Sequence, residues 1–402
     1  MAHAARKVAP EEFQLPADSR WRRLPIAAGM LGLFALSFAF MIRGEHVERF
    51  YQSWLVAFLF CVSITLGALF FVLVHFAAKA GWGVVVRRLA ESLAAVVPLY
   101  FVLFVPILLH LPSLYHWADA EHAAHDPVLA GKAAWLNPTM FGVRAVIYLG
   151  AWSILAWSFL TLSRRQDRTG DETLTRRMIA LSGPGLIVFA LTLTFAAFDW
   201  IMSLDPHWYS TIYGVYWFAG SLVGVFATLI LITMALTRSG VLRQVITVEH
   251  FHDLGKLLYT FMVFWTYIGF SQFFLIWYAD LPEETVWYLR RLDGGWKSLT
   301  IGLAIGHFAV PFFFLMSEHA KRRRVLLAAG AAWMLLMHLL DTYWLVMPVF
   351  LAQGPDLHPL DLLILIGFVA LSLAAFGLVL RRQALVPSRD PRLVESMGFE
   401  NA

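Results

Sequence analysis

The stretch TFAAFDWIMSLDPHWYSTIYG (residues 194–214) ends an apolar run on Asp199 and adds Asp205 and His207 before apolar sequence resumes at Thr211. Ionisable side chains recur in other apolar runs: His307, then His338 and Asp341, which are three residues apart and share a helical face. Nearer the other end of such runs stand His75, the pair Glu318 and His319, and the group Glu249, His250, His252, Asp253 and Lys256. Imidazole titrates near neutrality and a desolvated carboxylate can be raised toward it, so groups spread from one side to the other could pass protons. Asp199, His307, His338, Asp341, Glu318, His319 and Asp253 are the candidates for such a path. Any one of them taken alone reads better as an interhelical hydrogen bond; the set His307, His338 and Asp341 favours proton chemistry.

Other chemistries compete for the same residues. His307 with His338 is the one pair suited to a b-type haem, although Asp341 is a nearer partner for His338. In the loop HWADAEHAAHD, His122, His125 and Asp126 would share one face of a helix and could hold a metal, with a solvated loop the plainer reading. The run KRRR (321–324) reads as a basic anchor at anionic lipid. FWTYIGFSQFFLIWYADLPEET is aromatic throughout, with Ser271 and Gln272 its strongly polar pair. Such a segment suits lipid, core packing or a flat cleft for a quinone ring, and composition does not separate the three.

These residues need elements to hold them, and the composition says which. The chain has 402 residues, 59% hydrophobic and 14% charged, with a mean hydropathy of +0.67, outside the range of soluble domains. Ten apolar stretches are long enough to cross about 30 Å of hydrocarbon: 24–42, 50–76, 89–111, 138–163, 179–202, 211–237, 256–279, 298–316, 325–348 and 360–380. They are continuous rather than alternating, which predicts helices. Most of the 31 lysines and arginines fall in the N-terminal tail, the C-terminal tail and alternate loops, so both termini are expected on the cytoplasmic side. The basic tail before residue 24 and the lack of a small-residue cleavage site argue against a signal peptide. The net charge of +4 follows from this asymmetry and suggests no nucleic-acid partner.

The single cysteine, Cys61, lies within the second span. It excludes an internal disulfide, a thiolate iron–sulfur cluster and C-x-x-C-H haem attachment, so no covalently bound cofactor is expected. Asp199, Trp200, Met202 and Pro206 are echoed by Asp341, Trp344, Met347 and Pro348, and HLPSLYHW after the third span by DLPEETVWYL after the seventh. A four-span offset keeps both copies in one orientation. The expected fold is therefore an all-α integral membrane protein of ten helices, with two parallel four-helix bundles (spans 2–5 in 50–202, spans 6–9 in 203–348). Helix 1 with its loop (24–49) and helix 10 (349–380) flank them, between tails 1–23 and 381–402. Residues 280–297 should open an external amphipathic helix at Pro282, with Trp287 and Tyr288 at the lipid interface or under a partner. Trp117, Trp135, Trp287 and Trp296 on the same side point to a covered surface. A secondary transporter is the rival class, but the echo is parallel and the centres of spans 5 and 9 lack Gly and Pro, unlike typical substrate sites. A purely structural membrane anchor for redox partners is the third.

The motifs FDWIMSLDPHWYSTIYGVY, HFHDLGKLL and FSQFFLIWYADLPEETVWYLRR resemble the ActF subunit family of bacterial alternative complex III, and the likeness runs from the first span to the tenth. Such subunits are similar to the NrfD-like membrane subunits of polysulfide-reductase-type enzymes. The resemblance implies a place in a respiratory quinol:electron-acceptor (cytochrome c) oxidoreductase of the bacterial inner membrane. Its implied partners are a second NrfD-like subunit, an extracytoplasmic iron–sulfur protein, multihaem and monohaem cytochromes c, small membrane subunits and lipid. Menaquinone or ubiquinone would be present in the complex, with the quinol pocket in the sister subunit, so no quinone-contact residue is carried over. The proton-path role proposed for these bundles would fall on Asp199, His307, His338 and Asp341.

Overall fold

The computed structural model describes residues 13–119 and 125–401; His122 of the loop site, and Arg6 and Lys7 of the basic tail, lie outside them. The described residues are helical, without strands, and ten helices are long and apolar enough to cross a membrane. They are α1 (Leu24–Ile42), α2 (Val47–Ala77), α3 (Val84–Leu109), α4 (Pro138–Thr169) and α5 (Thr173–Leu204), then α6 (Tyr213–Arg238), α7 (Val248–Ala279), α8 (Trp296–Met316), α9 (Arg324–Val349) and α10 (Pro359–Leu380).

Sequence chemistry sets the ends and the breaks. Asn137 caps α4 by accepting from the Met140 N–H, with Pro138 at the first helical position, where its missing donor costs nothing. Helix α3 breaks at Ala95–Val96, because Pro98 has no N–H to give the Ala94 carbonyl. Helix α8 widens to a π-turn over Ala304–Ala309, just before Pro311. Pro311 cannot bond the carbonyl four residues back, that of His307, and the wider turn accommodates this.

Helices α2 and α6 form the centre: 89% and 83% of their apolar windows are buried, against 28% for α1, α5, α7 and α8. They cross closely at Gly67, where a Cβ would lie 2.4 Å from the Ser221 carbonyl oxygen, so only glycine fits. Helices α2, α3, α4 and α5 pack each on the next, and α5 returns to α2. The same order holds from α6 to α9, and α2 and α6 join the two groups. Helix α10 packs on α1 and α2.

Both described ends lie at one face, the terminal face, where Leu385 N–H donates to the Phe13 carbonyl (2.7 Å) and Trp21 Nε1 to Ser239 Oγ (2.9 Å). The residues after α10 form a docked strap. Leu385, Val386 and Ser396 are buried, and the Ser396 hydroxyl donates to the Trp82 carbonyl and accepts the Val85 N–H. Beneath it lies an ionic cluster. Arg87 pairs with Glu91 (3.0 Å) and Asp390 (2.7 Å), and Arg88 with Glu91 (2.9 Å) and Asp167 (2.7 Å).

At the opposite face, the expected amphipathic helix spans Pro282–Leu292. Its aromatic residues face inward rather than to lipid or a partner: Trp287 stacks on Trp208 (4.7 Å between centroids) and meets Trp344 edge-on (5.3 Å). Trp117 and Trp296 are buried too, and only Trp135 is exposed, so packing within the chain accounts for the other three tryptophans. Arg291 lies wholly buried over the Trp287 ring. It donates to the carbonyls of Trp344 and Leu345 near the end of α9 and to that of Trp287. A cation suits the negative end of a helix, yet burial lowers the guanidinium pKa to about 10.

Candidate functional site

The site is built on the opposite-face half of α9. His338 and Asp341 point toward α6, where Gly220 and Gly224 make room. A Cβ on Gly220 would lie 3.2 Å from His338 Nδ1 and 3.5 Å from Asp341 Oδ2, and one on Gly224 would lie 2.8 Å from His338 Cδ2. Both ionisable groups thus pack against Gly220. Asp341 is 2% exposed. Its Oδ1 accepts from the Tyr216 hydroxyl (2.6 Å) and its Oδ2 from Trp265 Nε1 (3.1 Å). Both donors are neutral, and Asp341 meets no cation among the described residues.

The expected pairing of Asp341 with His338 is replaced by a different one. His338 Nε2 lies 2.8 Å from Ser63 Oγ on α2, the nitrogen that a haem iron would take. Its Nδ1 has no hydrogen-bond partner among the described residues. His307 sits on the π-turn of α8, fully buried, with its ring stacked on Trp265 at 3.7 Å and both nitrogens unpartnered among the described residues. Trp265 therefore touches both Asp341, by hydrogen bond, and His307, by stacking. A buried polar group without a partner is costly, and His307 has both ring nitrogens in that state and His338 one.

Asp199 has different surroundings. Arg144 Nε donates to its Oδ2 (2.7 Å) and Arg144 Nη2 to its Oδ1 (2.9 Å). Tyr148 Oη and Trp135 Nε1 add donors at 2.8 Å each. Neither His207 nor Tyr209, the partners suggested by sequence, reaches it: His207 Nε2 pairs with Asp126 (2.6 Å) and Tyr209 is exposed. Sequence reasoning missed Arg144 although it falls within the fourth apolar run, where a charge is a signal in itself. Asp199 and Arg144 form a satisfied ion pair, while Asp341 is held by neutral donors alone.

The remaining candidates lie at the terminal face and have no hydrogen-bonded link to Asp341 among the described residues. Asp253 pairs with Lys256 on its own helix. Glu318 pairs with Arg322 (2.6 Å), which also holds Glu249 (2.6 Å), and both Glu318 and His319 are exposed. The basic run turns partly inward: Lys321 is buried and donates to the Leu315 and Met316 carbonyls that end α8, and burial lowers its pKa. In the loop site, Asp126 caps the short helix Pro127–Lys132 by accepting from the Val128 and Leu129 N–H groups, besides pairing with His207.

A cleft of about 620 Å³ opens between α7 and α8, within the usual size of a ligand site. Tyr216 and Trp265, the two donors to Asp341, belong to its walls, as do Tyr288 and Thr300. Tyr267 and Phe270, 65% and 61% exposed, stand at its edge on the outward side of α7. Part of the aromatic segment of α7 thus lines a cleft, while Phe274, Trp277 and Tyr278 are exposed on its outward side. No family model matches the sequence, and no match is found among curated proteins.

Proposed function

We propose that this chain is a multi-pass membrane subunit of a quinol:electron-acceptor oxidoreductase of the alternative complex III type, and that it moves protons through the α6–α9 half. The carrying observation is the contrast between two buried aspartates at the ends of α5 and α9. Asp199 has an arginine and four hydrogen bonds, whereas Asp341 has two neutral donors and packs with His338 against Gly220. A carboxylate held by a bidentate arginine is fixed in place and holds structure. One without a counter-cation in an apolar interior can gain and lose a proton without breaking an ion pair. On this proposal Asp341, His338 and His307 form the outer half of the path, and Asp199 fixes the end of its helix. The packing order shared by α2–α5 and α6–α9 supports the two-bundle repeat, in which only the second copy kept the mobile proton.

The terminal face would be cytoplasmic in a bacterial inner membrane. The electron carriers would belong to partners: an iron–sulfur protein, cytochromes c, a second NrfD-like subunit and small membrane subunits. The test replaces Asp341 with Asn in the assembled complex and measures proton movement beside quinol oxidation. Reduced proton movement per electron is expected. Unaltered stoichiometry and rate would leave Asp341 a structural residue, and a chain that purifies from its native membrane without any cytochrome c would refute membership of such a complex.

A further inference from the structure

We infer that a groove between α1, α2 and α3, near the opposite face, holds a phospholipid with a phosphoethanolamine headgroup, its phosphate on Arg43 and an acyl chain between the helices. The inference is independent of the proposed proton movement. Helix α1 packs along α10, and near its end Phe40 meets Phe50 of α2 (6.0 Å between centroids). Beside that contact a groove of about 430 Å³ opens, with Leu36 and Phe40 of α1, Trp54 of α2, and Pro106 and Leu109 of α3 among its walls. Phe40 and Leu109 are exposed on spanning helices, so the groove opens to the bilayer and takes an apolar chain.

Polar groups of the same groove lack partners within the chain. Ser37, Tyr51 and His110 belong to its walls, and none of their side chains makes a hydrogen bond among the described residues. Arg43 lies over the ring of Phe40 (3.5 Å), with its Nη1 buried and unbonded among the described residues. Its charge reaches His110: burial, and after it the charge of Arg43, lower the imidazole pKa, so the ring is neutral and keeps one N–H to donate. A buried guanidinium donor without an acceptor is costly, and phosphate oxygens fit the guanidinium fork. A phospholipid supplies those oxygens together with the chain that fills the groove. Neighbouring charges choose its headgroup. Glu45 and Glu48, two and five residues on from Arg43, are exposed and have no ion pair among the described residues. Two carboxylates near one arginine disfavour a headgroup of net negative charge, whereas an ethanolamine ammonium can meet a carboxylate while its phosphate meets Arg43. A choline headgroup has no N–H to give them.

The test is photolabelling of the protein, purified from its native membrane and placed in lipid nanodiscs, with a phosphatidylethanolamine that carries a diazirine in one acyl chain, followed by mapping of the adducts. Adducts are expected on Leu36, Phe40 and Leu109. Unlabelled phosphatidylethanolamine should compete severalfold better than phosphatidylglycerol or phosphatidylcholine, and inorganic phosphate, which brings no chain, should not compete. Arg43→Met keeps the stem and removes the charge, and should weaken labelling about tenfold, the equivalent of one hydrogen bond to a charged group. Ser37→Trp fills the groove from an exposed position and should abolish its adducts. Glu45→Gln with Glu48→Gln should keep the labelling and remove the headgroup preference. Adducts spread evenly over lipid-facing residues, competition by inorganic phosphate, or labelling indifferent to Arg43→Met and Ser37→Trp would overturn the site. Equal competition by the three lipids, or a preference that survives the double glutamine substitution, would overturn the headgroup.

Discussion

The two aspartates give a prediction whose size follows from their hydrogen bonds. In Asp199→Asn, the amide offers one acceptor oxygen where two carboxylate oxygens take four donors. Whichever way the amide turns, two N–H or O–H groups face its NH2, and Arg144 loses its counter-charge with its side chain only 12% exposed. Breaking a buried pair by removing one partner costs about 3–5 kcal/mol. In Asp341→Asn the outcome differs. The amide oxygen can accept from Trp265 Nε1, and the Tyr216 hydroxyl can rotate to accept from the NH2 group, so every polar atom keeps a partner. That exchange should cost no more than about 1 kcal/mol. Reversible unfolding of the chain in bicelles with SDS reads both values. Adding Arg144→Met to Asp199→Asn should recover most of the loss, because the orphaned charge goes with it. Equal destabilisation by the two single substitutions, or no recovery in the double variant, would refute the assignment of Asp199 to structure and Asp341 to proton exchange.

Arg88→Met removes a cation shared by Glu91 and Asp167 in a buried network and should destabilise by about 3–5 kcal/mol in the same unfolding assay. Gly220→Ala places a Cβ 3.2 Å from His338 Nδ1 and 3.5 Å from Asp341 Oδ2; a loss of about 1–3 kcal/mol is expected, together with slower proton movement in the complex. At the opposite face, desolvation pushes the Asp126 pKa up, but the His207 hydrogen bond and the Val128 and Leu129 N–H groups override it and hold it below the ordinary value. The folded value lies below the unfolded one, so this contact contributes fully above about pH 4 and is lost as pH falls through the lowered value. A carboxyl carbon-13 titration of Asp126 should show the depressed midpoint, and His207→Ala should raise it.

Long apolar runs made the ten helices legible, and the differences lie at their ends. The run 256–279 belongs to a helix that begins at Val248, and 138–163 to one that continues to Thr169, because a helix can leave hydrocarbon on charged residues that end a hydropathy run. The pairings were less legible, since they depend on which helices meet. Arg144 was visible as a charge within a span but not as the partner of Asp199. Arg87, Arg88 and Glu91 lie three and four apart on one helix, but their pairing and burial depend on a strap whose apolar residues, Leu385, Val386 and Leu393, are too sparse to form a pattern. The π-turn under His307 left one trace, Pro311 four residues later.

Similar local sequence around Asp199 and Asp341 therefore ends in opposite electrostatics, and the cause lies in the neighbouring helices. Helix α4 brings an arginine to α5, so the first carboxylate is neutralised and its helix end is fixed. Helices α6 and α7 bring only a tyrosine and a tryptophan to α9, while His338 and the second carboxylate pack against Gly220 of α6. On the proposed reading, a relay needs a group that can change charge without breaking an ion pair, with imidazoles near it. The arginine that makes α5 rigid would defeat that purpose in α9. Introducing one there should show it: Trp265→Arg, at the position whose indole donates to Asp341 Oδ2, would give Asp341 a cation within its own half and is expected to stop proton movement. Continued proton movement in a folded variant, with the new ion pair seen in its structure, would show that Asp341 need not exchange a proton.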